Sequence, residues 1–146
     1  PNSLRKEASK RGKNIIVYEG GESLRFDNYA IEEGISGTLR LMKHLKMIEW
    51  APAPNEQNRI IRDSTWVRAR HAGLFQPSIQ SGQFVHKGEW IGTLTDPFGE
   101  FKEQVKAKES GYVVGLNNIP VVNAGDALVH IGFENVLSGG GGGVAN

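Results

Sequence analysis

The chain has 146 residues, a formal net charge of +1, and charged and hydrophobic fractions of 23% and 38%. That suffices for one ordinary domain or two small ones, and the near-neutral balance gives no electrostatic case for a nucleic acid or a membrane surface as partner. Zero cysteines exclude disulfides and thiol catalysis and fit a cytoplasmic setting. No apolar run approaches the roughly 20 residues of a membrane-spanning helix, and a signal-peptide core is absent from the start.

The first residues, Pro1-Asn2-Ser3, lack a methionine and lead directly into a helix signal, which reads as a piece of a longer protein. Residues 3 to 11 predict a short basic helix: Ser3 is a cap, Leu4 and Ala8 lie four apart, and Gly12 is a stop. Asn14-Ile15-Ile16-Val17-Tyr18 is a continuous, β-branched apolar run, the pattern of a strand buried on both faces of a sheet covered by helices. It runs into Glu19-Gly20-Gly21-Glu22.

Asp27 or Asn28 then caps a long helix to about Ile48, with Glu32 and Glu33 early and Arg40, Lys43, His44 and Lys46 late, as the helix dipole favours. Ile31, Ile35, Leu39, Met42 and Leu45 form its apolar stripe. Ala30, Gly34 and Gly37 form a small-residue stripe that predicts close approach of a neighbouring element. Residues 49–63, with Pro52 and Pro54, read as a linker.

From about Ser64 to Phe133 the chain repeats itself. Phe84-Val85-His86-Lys87-Gly88-Glu89-Trp90-Ile91 returns as Val121-Val122-Asn123-Ala124-Gly125-Asp126-Ala127-Leu128. A period of about 37 residues signals a duplicated supersecondary unit, in which each copy turns on a glycine followed by an acid. Residues 134–146, with five consecutive glycines, predict a disordered tail.

Glu19 is the strongest catalytic candidate. A carboxylate at the C-terminal end of a buried strand sits where open α/β sheets place their ligand crevice, and Gly20 and Gly21 leave room beside it. Burial there would suit it to general base chemistry. The bland alternative is a carboxylate that caps or salt-bridges a strand end, and Glu22 is a second, freer candidate. Arg70 and His71 are candidates for contact with a substrate carboxylate, against the plainer reading of a strand edge guarded by charge. Arg68 and Arg70 share one side of that strand and His71 takes the other.

No metal site is expected within this chain. His44 falls on a helix surface, and His130 is a half-buried strand residue. The His86 and Glu89 pair has H-x-x-E spacing, but the copy has Asn123 and Asp126 in those places, so the turn explains the acid. Duplicated β units also serve as swinging-arm carriers with a modified lysine at the joining hairpin. Here that hairpin reads Asp96-Pro97-Phe98-Gly99-Glu100 and has none.

The order Ile15-Ile16-Val17-Tyr18-Glu19-Gly20-Gly21, long helix, linker and duplicated β module (Gly73-Leu74-Phe75 through Asp96-Pro97-Phe98-Gly99) resembles the C-terminal portion of the succinylglutamate desuccinylase/aspartoacylase family. The family comprises zinc-dependent amidohydrolases related to zinc carboxypeptidases. The resemblance implies an α+β chain: residues 1–48 as the C-terminal piece of an α/β zinc-hydrolase domain, then the 49–63 linker, then a barrel-sandwich, lipoyl-like module over 64–133. It places Glu19 on the family's catalytic glutamate, which activates a zinc-bound water and then protonates the leaving amine. It makes Arg70 and His71 substrate contacts at the site mouth. The zinc ligands, an H-x-x-E pair and a later histidine, are implied upstream of Pro1, so zinc belongs to the full-length parent and not to this piece. The implied substrate is a small N-acyl amino acid. The alternative is a non-enzymatic, lipoyl-like docking module for partner proteins.

Overall fold

The structure is a computed structural model and describes residues 3–55 and 58–133. It is α+β. In chain order the elements are α1 (Leu4–Lys10), α2 (Asn28–His44), β1 (Asp63–Arg68), β2 (Gly73–Pro77), β3 (Phe84–Val85), β4 (Trp90–Thr95), β5 (Lys102–Lys106), β6 (Gly111–Leu116), β7 (Val121–Val122) and β8 (Ala127–Phe133). The chain divides into two compact units between Asn58 and Arg59. Among the described residues, no helix is long and apolar enough to cross a membrane. The glycine-rich tail lies outside them.

In the first unit, both helices begin and end for local reasons. Ser3 Oγ accepts from the Lys6 amide at 3.2 Å, and Asp27 Oδ1 from the Ala30 amide at 3.1 Å, each satisfying a donor that the first helical turn leaves open. Each helix closes on a residue in the left-handed region whose neighbours bond back to the last turn. At α1 this is Gly12 (φ 65°), with Lys13 N–H donating to Ala8 O at 2.9 Å. At α2 it is Lys46 (φ 59°), with Met47 N–H donating to Met42 O at 2.9 Å. The turn at Lys46 stops α2 at His44, four residues short of the Ile48 predicted from periodicity.

The predicted strand Asn14–Tyr18 is irregular chain, and Ile15 to Tyr18 are all exposed, Ile16 at 79%. A ladder is a property of two strands, and β preference comes from packing against strand neighbours. All eight strands described pair with one another within residues 63–133, leaving this run without a partner. Tyr18 instead folds onto α2: its hydroxyl donates to Ala30 O, and a Cβ at Gly34 would lie 2.8 Å from its Cε1. Gly34 thus receives the predicted close approach. Gly37 does not, since the nearest atom to a Cβ there is Arg40 Nη2 at 3.8 Å. Ala30 is the one buried residue of α2, and the stripe from Ile31 to Leu39 borders an open apolar groove of about 440 Å³.

In the second unit, two four-stranded antiparallel sheets run β1-β8-β6-β3 and β5-β4-β2-β7. Exchanging β1 with β5, β2 with β6, β3 with β7 and β4 with β8 turns one order into the other. The two Gly-acid turns match atom for atom. Glu89 accepts from His86 N–H at 2.7 Å, and Asp126 from Asn123 N–H at 2.7 Å. Gly88 (φ 82°) donates to Ala107 O at 2.8 Å, and Gly125 (φ 92°) to Ala69 O at 2.9 Å. Each turn is therefore tied to the opposite copy. Between the sheets Val85, Ile91, Leu94, Leu128, Val129 and Ile131 are fully buried, each contributing about 1.5–3 kcal/mol of transfer free energy. Most inward residues alternate with outward polar ones, as in Thr65, Val67 and Ala69 against Arg68 and Arg70.

Candidate functional site

Glu19 stands between Tyr18, which is held on α2, and Gly20-Gly21. Gly21 takes φ 85°, and a Cβ there would lie 3.2 Å from Asp27 Cβ and 3.4 Å from Ala30 Cβ. The glycine lets the chain turn tightly over the first turn of α2. Tyr18, Gly20, Gly21, Glu22, Asp27 and Ala30 border a shallow cavity of about 140 Å³ there. Glu19 itself is exposed and is not among its walls. The burial expected of this carboxylate is absent because the run leading to it has no sheet to enter. Among the described residues Glu19 has no hydrogen bond or ion pair, whereas Glu22 pairs with Arg25 Nε at 2.7 Å on the surface.

Arg70 and His71 lie in the second unit, in the bend between β1, which ends at Arg68, and β2, so the strand alternation expected of them does not apply. His71 stands edge-on to the Phe101 ring, with centroids 5.0 Å apart. Arg70 borders, with Arg68, a cleft of about 170 Å³ at the seam between edge strands β1 and β5 of the two sheets. Its walls also include Glu103, Gln104, Lys106 and Lys108 over a floor of Val67 and Val105.

These residues come in equivalent pairs. Val67-Arg68-Ala69-Arg70 in the first copy answers Val105-Lys106-Ala107-Lys108 in the second, and the turn hydrogen bonds through Ala69 and Ala107 fix that alignment. The cleft lies where the two copies meet, with two cations from each. Arg68 Nη1 donates to Gly125 O at 2.9 Å. Arg70 Nη1 lies 3.5 Å from Glu103 Oε1, a loose contact made by a side chain 79% exposed. Glu103 follows the inward parity of Val105, and its Oε2 is buried without a hydrogen-bond partner. Sequence reasoning found Arg70 and missed Lys106 and Lys108; the repeated Val-cation-Ala-cation phrase was the available signal.

The other histidines behave as their surroundings dictate. His86 flanks Phe84 (5.3 Å, edge-on), and the Glu89 carboxylate is engaged by its own turn. His130 stacks on Trp66 with centroids 4.1 Å apart and planes 7° from parallel. His44 is exposed near the end of α2. Among the described residues, no three His, Cys, Asp or Glu side chains converge as a metal site would require.

No family model matches the sequence, and no curated protein does. Solved structures do match. The ectoine utilization protein EutE (DoeB) from Ruegeria pomeroyi, in a product-bound structure, superposes with a TM-score of 0.73 over 90% of this chain and 41% of its own, at 17% identity. A succinylglutamate desuccinylase from Silicibacter sp. TM1040 gives 0.70 over 89% of this chain and 41% of its own, at 17% identity. A succinylglutamate desuccinylase/aspartoacylase from Rhodobacter sphaeroides gives 0.67 over 75% and 37%, at 22% identity. The chain spans about two-fifths of the length of these structures. Its fold is that of a segment of the succinylglutamate desuccinylase/aspartoacylase structures.

Proposed function

We propose that this chain is the C-terminal part of a zinc-dependent amidohydrolase that releases the acyl group of a small N-acyl amino acid, in a cytoplasmic setting. The observation that carries the reading is the likeness in fold of nine-tenths of the chain to the ectoine utilization protein EutE (DoeB), with a TM-score of 0.73, and to a succinylglutamate desuccinylase, with a TM-score of 0.70. In this reading residues 1–48 belong to the catalytic domain, residues 49–63 link it onward, and residues 64–133 are a duplicated barrel-sandwich module. The exposed stripe of α2 supports it, because an amphipathic helix of this kind ordinarily lies against a sheet.

Glu19 is the proton carrier, taking a proton from the attacking water and delivering it to the departing amine, so that no net proton is held at the end of the cycle. The Gly20-Gly21 turn supports this role by turning the chain sharply just after the carboxylate, over the first turn of α2. Arg70, with guanidinium donors free for a carboxylate, and His71 are assigned to the substrate side. Bound zinc would supply Lewis-acid activation of water and amide. Among the described residues no such ligand set converges, and we assign the zinc ligands to sequence outside this chain.

The test is Glu19→Gln in the longer protein, assayed on a panel of N-acyl amino acids. The expected result is a fall in kcat of about 10²–10⁴ with zinc content unchanged. Hydrolysis at the normal rate would remove Glu19 from the mechanism. Absence of hydrolysis in both forms, with a partner protein retained on the β module, would favour the docking-module alternative.

A further inference from the structure

We propose that the seam between β1 and β5 is a binding site for a small multivalent anion, one bearing two charged phosphoryl or carboxyl groups. Four features carry the inference. The cleft is concave and about 170 Å³ in volume, room for a molecule of a few heavy atoms rather than a nucleotide. Arg68, Arg70, Lys106 and Lys108 line it, against the single carboxylate of Glu103. Among the described residues, neither lysine has an ion-pair partner, and Arg70 has only its 3.5 Å contact, so most of its donors are unfilled. The cations also occupy equivalent places in the two copies, which presents positive charge from two opposing directions. That arrangement suits a ligand charged at both ends, and an arginine on one side supplies a planar fork for its oxygens.

Edge strands carry lysines for a simpler purpose, to discourage pairing with another sheet. Guarding an edge predicts cations spread along the strand and pointing into solvent. Lys102, on the same strand, fits that description, being exposed and outside the cleft. Lys106 and Lys108, equally exposed, border the same cleft as the two arginines, which gathers positive charge around one partly enclosed space. The inference shares Arg70 with the hydrolase reading but requires no reaction and uses only the second unit, so anion binding to this chain and loss of hydrolysis on Glu19→Gln succeed or fail separately.

The experiment is a titration of the 146-residue chain with inorganic pyrophosphate, and separately with malonate, followed by amide NMR shifts. Pyrophosphate is expected to saturate at about 1 mM or below in moderate salt, with shifts centred on Arg68, Arg70, Lys106 and Lys108. Malonate binding equally well identifies carboxylate ligands, and binding of pyrophosphate alone identifies phosphoryl ligands. Lys108→Gln is expected to weaken binding about tenfold, and Arg70→Gln with Lys108→Gln further, whereas Lys102→Gln changes it less than about twofold. All three side chains are exposed, so the variants keep the fold. Shifts that fail to saturate by about 10 mM for both anions, or that respond to Lys102→Gln as to Lys108→Gln, would overturn the proposal.

Discussion

Gly73 and Gly111 occupy equivalent places at the start of β2 and β6, where each lies close against its paired neighbour strand, and replacing either by alanine measures that closeness. A Cβ at Gly73 would lie 2.3 Å from Thr95 O, and one at Gly111 would lie 2.5 Å from Gly132 O. The obstacle in both cases is a backbone carbonyl inside a ladder, which cannot rotate aside as a side chain tip does. Separation to ordinary contact requires these backbones to move apart by about 1 Å, and overpacking of this kind costs about 1–3 kcal/mol. Alanine returns about 0.4–1 kcal/mol by narrowing the unfolded ensemble. A net loss of about 1–2 kcal/mol remains, which in a unit this size lowers Tm by roughly 4–16 °C. Thermal and urea unfolding of Gly73→Ala and Gly111→Ala, followed by tryptophan fluorescence, provides the assay. Gly88→Ala is the contrast: nothing lies within 4 Å of its Cβ, so its cost is conformational, about 1 kcal/mol for a left-handed alanine. If Gly73→Ala and Gly111→Ala melt with the wild type while Gly88→Ala does not, the reasoning from close approach fails.

Two further outcomes follow from the local geometry. Lys46→Gly places the favoured residue at the left-handed end of α2 and is expected to stabilise that helix by about 1 kcal/mol, read as slower amide exchange over its last turn. Removing the turn carboxylates, Glu89→Ala or Asp126→Ala, leaves one amide in each turn without its 2.7 Å partner and is expected to cost about 1–2 kcal/mol each. The matched geometry predicts similar losses in urea unfolding, and a large difference between the two would show that the turns are not energetically equivalent.

Local chemistry was the most legible part of the sequence. Ser3, Gly12 and Asp27 announce their helix ends because each acts within one turn of itself, and the Gly88-Glu89 and Gly125-Asp126 turns announce themselves because two copies repeat them. The end of α2 was hidden, since a lysine in the left-handed region leaves no sequence mark. Asn14–Tyr18 reads as a strand because composition records what a segment prefers, whereas a ladder depends on what lies beside it. The same limit applies to Glu19, whose expected burial was inferred from that strand. The basic cleft was half visible. Arg68 and Arg70 stood out, but aligning the copies on their turn glycines, 37 apart, puts Arg68 opposite Val105. The edge strands align at 38, and that one-residue offset conceals Lys106 and Lys108.

The pairing of β1 with β8 sets Asp63 opposite Phe133, so the eight-stranded part begins and ends at one spot. A module with adjacent ends can be spliced into a loop, appended to an enzyme or re-cut elsewhere without disturbing its interior. Joining those ends and opening the hairpin at Pro97-Phe98-Gly99 would exchange the order of the two halves while leaving every ladder in place. Because each turn is fastened to the other half, a lone half could close its bonds only by recruiting a twin.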